Sequence, residues 1–128
     1  MATTGTGTID FGAFPGAADA NLVITGQAAI VAGSYAEAWI RPVATADHTV
    51  GEHITETIRV IAHSIVAGTG FTITAINTSQ LAEPLESMGA GQRDVALLAG
   101  RSIGSSAPAQ GGQGTLLYGT WTVAWVWV

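Results

Sequence analysis

Cysteine is absent from this chain, and so is lysine. Without cysteine there is no disulfide, no thiolate nucleophile and no sulfur-ligated zinc site; the redox compartment stays open. Without lysine, the side-chain cations are Arg41, Arg59, Arg93 and Arg101, scattered against a formal net charge of −5. Binding phosphates needs a clustered cationic field, so a direct nucleic-acid ligand is not expected. Charge of either sign is scarce, at 10% of residues against about 25% in an ordinary globular domain. Charged surfaces keep monomers soluble, so part of this surface is expected to be buried against other copies or another protein. No apolar run reaches the ~18 residues of a membrane span. The stretch from Met1 to Thr8 has neither the basic nor the apolar region of a secretory signal. Synthesis in a cytoplasm, with no membrane partner, is the expectation.

What the chain does have is a C-terminal run from Thr115 to Val128 with no charge at all. At period two, one face reads Leu117, Gly119, Trp121, Val123, Trp125 and Trp127, and the other reads Leu116, Tyr118, Thr120, Thr122, Ala124, Val126 and Val128. β-Branched and aromatic residues at this density make a strand, and this one is apolar on both faces. It has to be covered by its own domain, by a neighbouring subunit, or by both. At 128 residues the chain is one domain, long enough to bury a real core without a metal or disulfide.

Glycine and threonine punctuate the remainder. Thr6 to Phe11 reads as a first strand, broken by the turn at Phe14, Pro15 and Gly16. Asn21 to Thr25 reads as a second. Ala28 to Val31 and Tyr35 to Arg41 read as a hairpin across Ala32, Gly33 and Ser34. In its second arm Tyr35, Glu37, Trp39 and Arg41 share one face, and Ala36, Ala38 and Ile40 the other. Pro42 ends that arm, and residues 43–53 follow as a polar loop. Ile54 to Val66 carries two signals: a helical stripe of Ile54, Ile58, Ile61 and Ile65 behind a Thr49/Glu52 capping box, and a β-branched content that favours strand. Strand is the preferred reading, leading through a Gly68–Gly70 turn into Phe71 to Ile76. Residues 79–114, rich in glycine, alanine, serine and glutamine, form a long insertion before the last strand. They read as a surface loop, as a short helix near Asp94 to Ala99, or as an arm anchored on a neighbour by Leu97 and Leu98. Together these elements predict an all-β fold, a single antiparallel β-sandwich or jelly-roll domain over residues 1–128.

The residues able to carry chemistry are few. Asp47 with His48 and Glu52 with His53 repeat an acid–histidine pair five residues apart, and His63 lies further on. Nitrogen and oxygen donors of this kind suit a divalent ion, yet the spacing matches no standard site, and solvated loop residues in hydrogen-bonding roles are the expectation. A serine nucleophile needs a base and an oxyanion hole held in register, and nothing in the sequence sets out such an arrangement. The glutamates show no sign of converging as a glycosidase pair, and the short Gly-Thr-Gly runs lack the rest of a phosphate loop. No catalytic, cofactor-binding or metal-ligating residue is therefore assigned, and an enzyme is not expected. Tyr35, Trp39, Trp121, Trp125 and Trp127 could form a sugar-stacking platform, but tryptophans concentrate in cores and at protein–protein contacts.

Two stretches carry a resemblance: Gly5 to Gly16 (Gly-Thr-Gly-Thr-Ile-Asp-Phe-Gly-Ala-Phe-Pro-Gly) and Gly119 to Trp127 (Gly-Thr-Trp-Thr-Val-Ala-Trp-Val-Trp). With Glu37 to Ile40, Thr45 to His48, Glu52 with His53, and Ile65 to Ile73, they resemble a family of small virion-associated proteins of tailed bacteriophages. The likeness covers residues 5–78 and 115–128 and leaves out the insertion. It implies a context, the virion, more than an activity, and brings no catalytic residues.

These readings converge on a structural protein of a tailed-phage virion. The leading expectation is a capsid decoration or cement protein, a homo-oligomer (a trimer) bound to the major capsid protein through many weak, linked contacts. Trp121, Trp125, Trp127, Val128, Leu97, Leu98 and Trp39 are the expected packing and interface residues. A tail, baseplate or fibre-attachment protein is the alternative, and a host-surface glycan-binding module the second.

Overall fold

The computed structural model describes residues 1–78 and 116–128. Met1–Asn77 and Leu116–Val128 make one compact unit. The expected arm, with Leu97 and Leu98, lies outside the described residues.

The unit is built from β1 (Thr3–Asp10), β2 (Asp19–Ile24), β3 (Ala36–Ile40), a short helix α1 (Val50–Thr55), β4 (Ile58–Val66), β5 (Gly70–Asn77) and β6 (Thr120–Trp127). The strands form two three-stranded antiparallel sheets, in the orders β1–β6–β3 and β2–β5–β4. The fold is therefore all-β. β6 is the spine of the first sheet, flanked by a strand on each side. That position explains why a terminal segment is so apolar: a central strand has a neighbour along each edge, and its inward face is buried in the core.

Alternation sets what each strand buries. Trp121, Val123, Trp125 and Trp127 of β6 point inward with Ile9 of β1, and they meet Phe71, Ile73 and Ala75 of β5 in one buried cluster. The rings of Phe71 and Trp125 meet edge-to-face at 5.5 Å. Leu117 and Ile30 close the cluster from outside the sheets. Trp127 Nε1 donates to Gln27 Oε1 at 2.9 Å.

β1 contributes glycine where the core needs room. A Cβ on Gly5 would lie 2.1 Å from the Trp125 ring, well inside van der Waals contact, so the indole occupies the space a side chain would take. Gly5→Ala is expected to cost about 1–3 kcal/mol through overpacking. Gly33→Ala, where the added carbon meets nothing within 4 Å, is expected to change stability by less than about 0.5 kcal/mol. Paired urea titrations read the difference.

Two expectations for local structure are corrected. Ala28 to Val31 is no strand: it forms successive turns held by Ile30 N–H to Gln27 O (3.1 Å) and Ser34 N–H to Val31 O (3.0 Å). β3 is paired with β6 instead of with this segment, and the alanines have little to add to a pleated surface. The region from Val43 to His53 is a loop only until Thr49. There the capping box is real, with Thr49 Oγ1 accepting from Glu52 N–H and Glu52 returning the bond to Thr49 N–H. The helix it starts stops at Thr55, because the β-branched run that follows pairs with β5 as strand β4. The capping box was thus genuine, but of the helical stripe only Ile54 is in the helix; Ile58, Ile61 and Ile65 lie in β4, the preferred strand reading.

Candidate functional site

Beyond the end of β3, the free edge of β6 would be left without partners. In β6 the even-numbered residues direct their main-chain groups toward β3, as the reciprocal Tyr35–Val128 pair shows (3.0 and 2.9 Å). Arg41 N–H still reaches Thr122 O at 2.9 Å. From there, side chains of the loop and α1 take over the role of a strand. Thr122 N–H donates to His53 Nε2 (3.0 Å), and Thr122 Oγ1 donates to Val43 O (2.9 Å). Thr120 O accepts from Thr45 Oγ1 (2.8 Å), while Thr120 N–H and Oγ1 both donate to Asp47 Oδ2 (2.8 and 2.9 Å). Gly119, at φ +76°, lets Asp47 approach, since any Cβ there would fall 2.8 Å from its carboxylate.

The two acid–histidine pairs are therefore pegs for the last strand. Their acids are exposed, as expected of loop residues in hydrogen-bonding roles, whereas His48 and His53 are buried, at 6% and 4% exposure. His53 accepts from Thr122 at Nε2, so its Nδ1 carries the proton and donates to Thr49 O at 2.8 Å. His48 stacks on Trp121 (3.8 Å between centroids, 19° between planes), with His53 tilted against the same indole at 5.0 Å. Its Nε2 donates to Tyr118 O (2.6 Å), and its Nδ1 faces Glu52 Oε1 at 3.2 Å. Both ring nitrogens of His48 thus face oxygen acceptors. Among the described residues no group of three or more His, Cys, Asp or Glu is placed to hold a metal.

Hydrogen bonds from Thr120 hold the Asp47 carboxyl below its usual range, and those from Thr49 and His48 do the same for Glu52. A carboxylate with a lowered folded-state pKa stabilises the fold above its ordinary value. That contribution is lost as pH falls through the lowered value. Stability is expected to decline as pH drops below about 4–5, the ordinary carboxylate range. An Asp47→Asn, Glu52→Gln double variant is expected to be less stable at pH 7, with a shallower decline; urea midpoints from pH 7 to pH 3 test this.

A second polar chain crosses the outer face of the other sheet. Thr74 Oγ1 donates to Asn21 Oδ1 (2.6 Å), so it accepts from His63 Nε2 (2.6 Å), leaving Nδ1 to accept from Ser64 Oγ (2.9 Å). Ser64 sits at φ +57° where the β4–β5 register slips between His63 and Val66. The chain ties β2 to β4 across β5, and the bulge turns Ser64 toward His63.

The third feature is the outer face of the first sheet. Tyr35, Glu37 and Trp39 project from β3 and its lead-in, as alternation predicted, beside Val126 and Ala124 of β6 and Thr4 and Thr6 of β1. Tyr35 is 77%, Val128 53% and Trp39 46% exposed. Of the expected interface residues, Trp39 and Val128 are therefore on the surface, whereas Trp121, Trp125 and Trp127 are buried within the unit's own core. Sequence reasoning passed over Thr45, Thr120 and Thr122, whose hydroxyls complete the strand substitute. Threonine in a β-rich chain is too common to single them out. Comparison with protein-family models, with curated proteins and with solved structures finds no match to this chain.

Proposed function

We propose that this protein is a structural component of a tailed-bacteriophage virion, a capsid decoration or cement protein that acts by binding and not by catalysis. The observation that carries the reading is the outer face of the β1–β6–β3 sheet. It exposes Tyr35, Trp39 and Val128 among threonines, with Glu37 as the charged residue of β3. An aromatic, charge-poor surface on a rigid sheet is suited to docking on another protein, where aromatic anchors carry much of the energy. The resemblance of residues 5–78 and 115–128 to virion-associated phage proteins supplies the context, the virion; within it the partner we propose is the lattice of the major capsid protein, with three-fold seating where capsomers meet. The nested pairing of β1 with β6 and β2 with β5 supports a jelly-roll reading of the two sheets.

Co-sedimentation with empty capsids tests the proposal. The protein is expected to pellet with capsids, and Trp39→Ala is expected to weaken binding roughly tenfold or more, as interface aromatics do, while the fold stays intact. No co-sedimentation at saturating protein would overturn it. The Tyr35–Trp39 pair also favours a second reading, a glycan-binding platform. Glycan-array binding abolished by Trp39→Ala, without capsid binding, would select that one. Capsid-free but tail-bound protein would instead select a tail or baseplate role.

A further inference from the structure

Among the described residues the first sheet ends at β1, and no strand pairs with its outer edge. Odd-numbered residues of β1 bond to β6, as the register and the Phe11 N–H to Gly119 O bond (2.9 Å) require. The main-chain N–H and C=O groups of Thr4, Thr6 and Thr8 therefore point away from the sheet, and among the described residues no strand pairs with them. Natural sheets blunt such edges with lysine, proline, inward charge or bulges. Here the chain has no lysine, and Thr3 to Ile9 contains neither proline nor a charge. The register of β1 against β6 runs without a break from Thr3 to Asp10.

The sequence along this edge says what covers it. Thr4-Gly5-Thr6-Gly7-Thr8 reads the same in both directions. An antiparallel strand of identical sequence, placed on a two-fold axis through Thr6, sets Thr6 against Thr6, Thr4 against Thr8 and Gly5 against Gly7. The two-fold falls on a hydrogen-bonded pair, because Thr6 is one of the residues whose main-chain groups face the edge. All three threonines stay on the exposed outer face, where Thr–Thr cross-strand pairs are favourable. The glycines stay on the inner side.

We infer that β1 is a homodimerisation edge: two copies pair β1 to β1 about a two-fold axis through Thr6, joining their sheets into one of six strands. The pairing forms about six main-chain hydrogen bonds from groups now open to water. It is isologous, so it closes at two copies and does not propagate into fibres. The inference deepens the proposed assembly role and rests on it. It concerns the free protein, whereas three-fold seating belongs to the lattice site.

The test uses the full chain in solution. The wild type is expected to sediment at twice the chain mass at tens of micromolar. Thr6→Pro removes an N–H that the domain's own ladder does not use, so the variant is expected to fold and to dimerise roughly 30-fold more weakly or worse, from two lost central hydrogen bonds. Since the chain has no cysteine, Thr6→Cys places a single thiol on the axis. A short bifunctional thiol reagent is expected to cross-link it into a dimer, and not to cross-link Val23→Cys, an exposed position on β2. A monomeric wild type, an oligomer indifferent to Thr6→Pro, or equal cross-linking at both thiols would overturn the inference. A monomer that still pellets with capsids would remove the β1 contact and leave the virion role standing. A Thr6-linked dimer that never binds capsids would do the reverse.

Discussion

Replacing Trp121 with alanine is expected to lower the unfolding free energy by about 3–5 kcal/mol, the usual cost of emptying a buried aromatic site. Typical domains have about 5–15 kcal/mol in total, so this change leaves the protein close to unfolding at room temperature. Trp121 is 1% exposed, and it joins the inner core to the loop that carries the histidines. His48 stacks on one side, His53 leans against the ring, and the indole N–H reaches Tyr118 O at 3.3 Å. Trp121→Phe is expected to recover part of the loss by refilling some of the volume. Trp39→Ala, on the open face, is expected to stay within about 1 kcal/mol of wild type. Urea titrations followed by far-ultraviolet circular dichroism compare the three. Similar losses for Trp39 and Trp121 would contradict the assignment of one to the surface and the other to the core.

His53→Ala is expected to cost nearly as much, about 3–4 kcal/mol. The imidazole is the acceptor for Thr122 N–H and the donor to Thr49 O. Its removal leaves a buried main-chain donor unpaired, about 1–3 kcal/mol by itself, and opens a cavity beside Trp121. The loss has a local signature. Hydrogen exchange at Thr122 is expected to rise, while exchange at Trp125 and Trp127, which face β1, is expected to stay slow unless the whole domain opens. Uniform protection across β6 in the variant would show that His53 is not a substitute for a strand.

Much of this fold was legible because its strongest elements are periodic. The terminal strand, the two faces of Tyr35 to Arg41 and the Gly68–Gly70 hairpin all follow from alternation and turn chemistry, and the structure has each of them. The division of labour among the tryptophans was not legible. Trp39 and Trp121 both sit on alternating strands, and only the sheet order says that Trp39 faces outward while Trp121 faces β5. The histidines were misread for a related reason. Asp47, His48, Glu52 and His53 look like loop polars, and the burial of the two histidines depends on β3 ending at Ile40 while β6 continues to Thr120. That mismatch in strand length is a tertiary fact without a local signal. The open edge of β1 was equally hidden, since a strand's sequence does not say whether it sits in the middle of a sheet or at its border. The palindrome from Thr4 to Thr8 acquires meaning only once that border is known.

Counting the copies of this chain in gradient-purified phage particles by quantitative mass spectrometry tests the central claim most directly. A decoration protein is expected at hundreds of copies per virion, in fixed proportion to the major capsid protein. Its absence from purified particles would contradict the account.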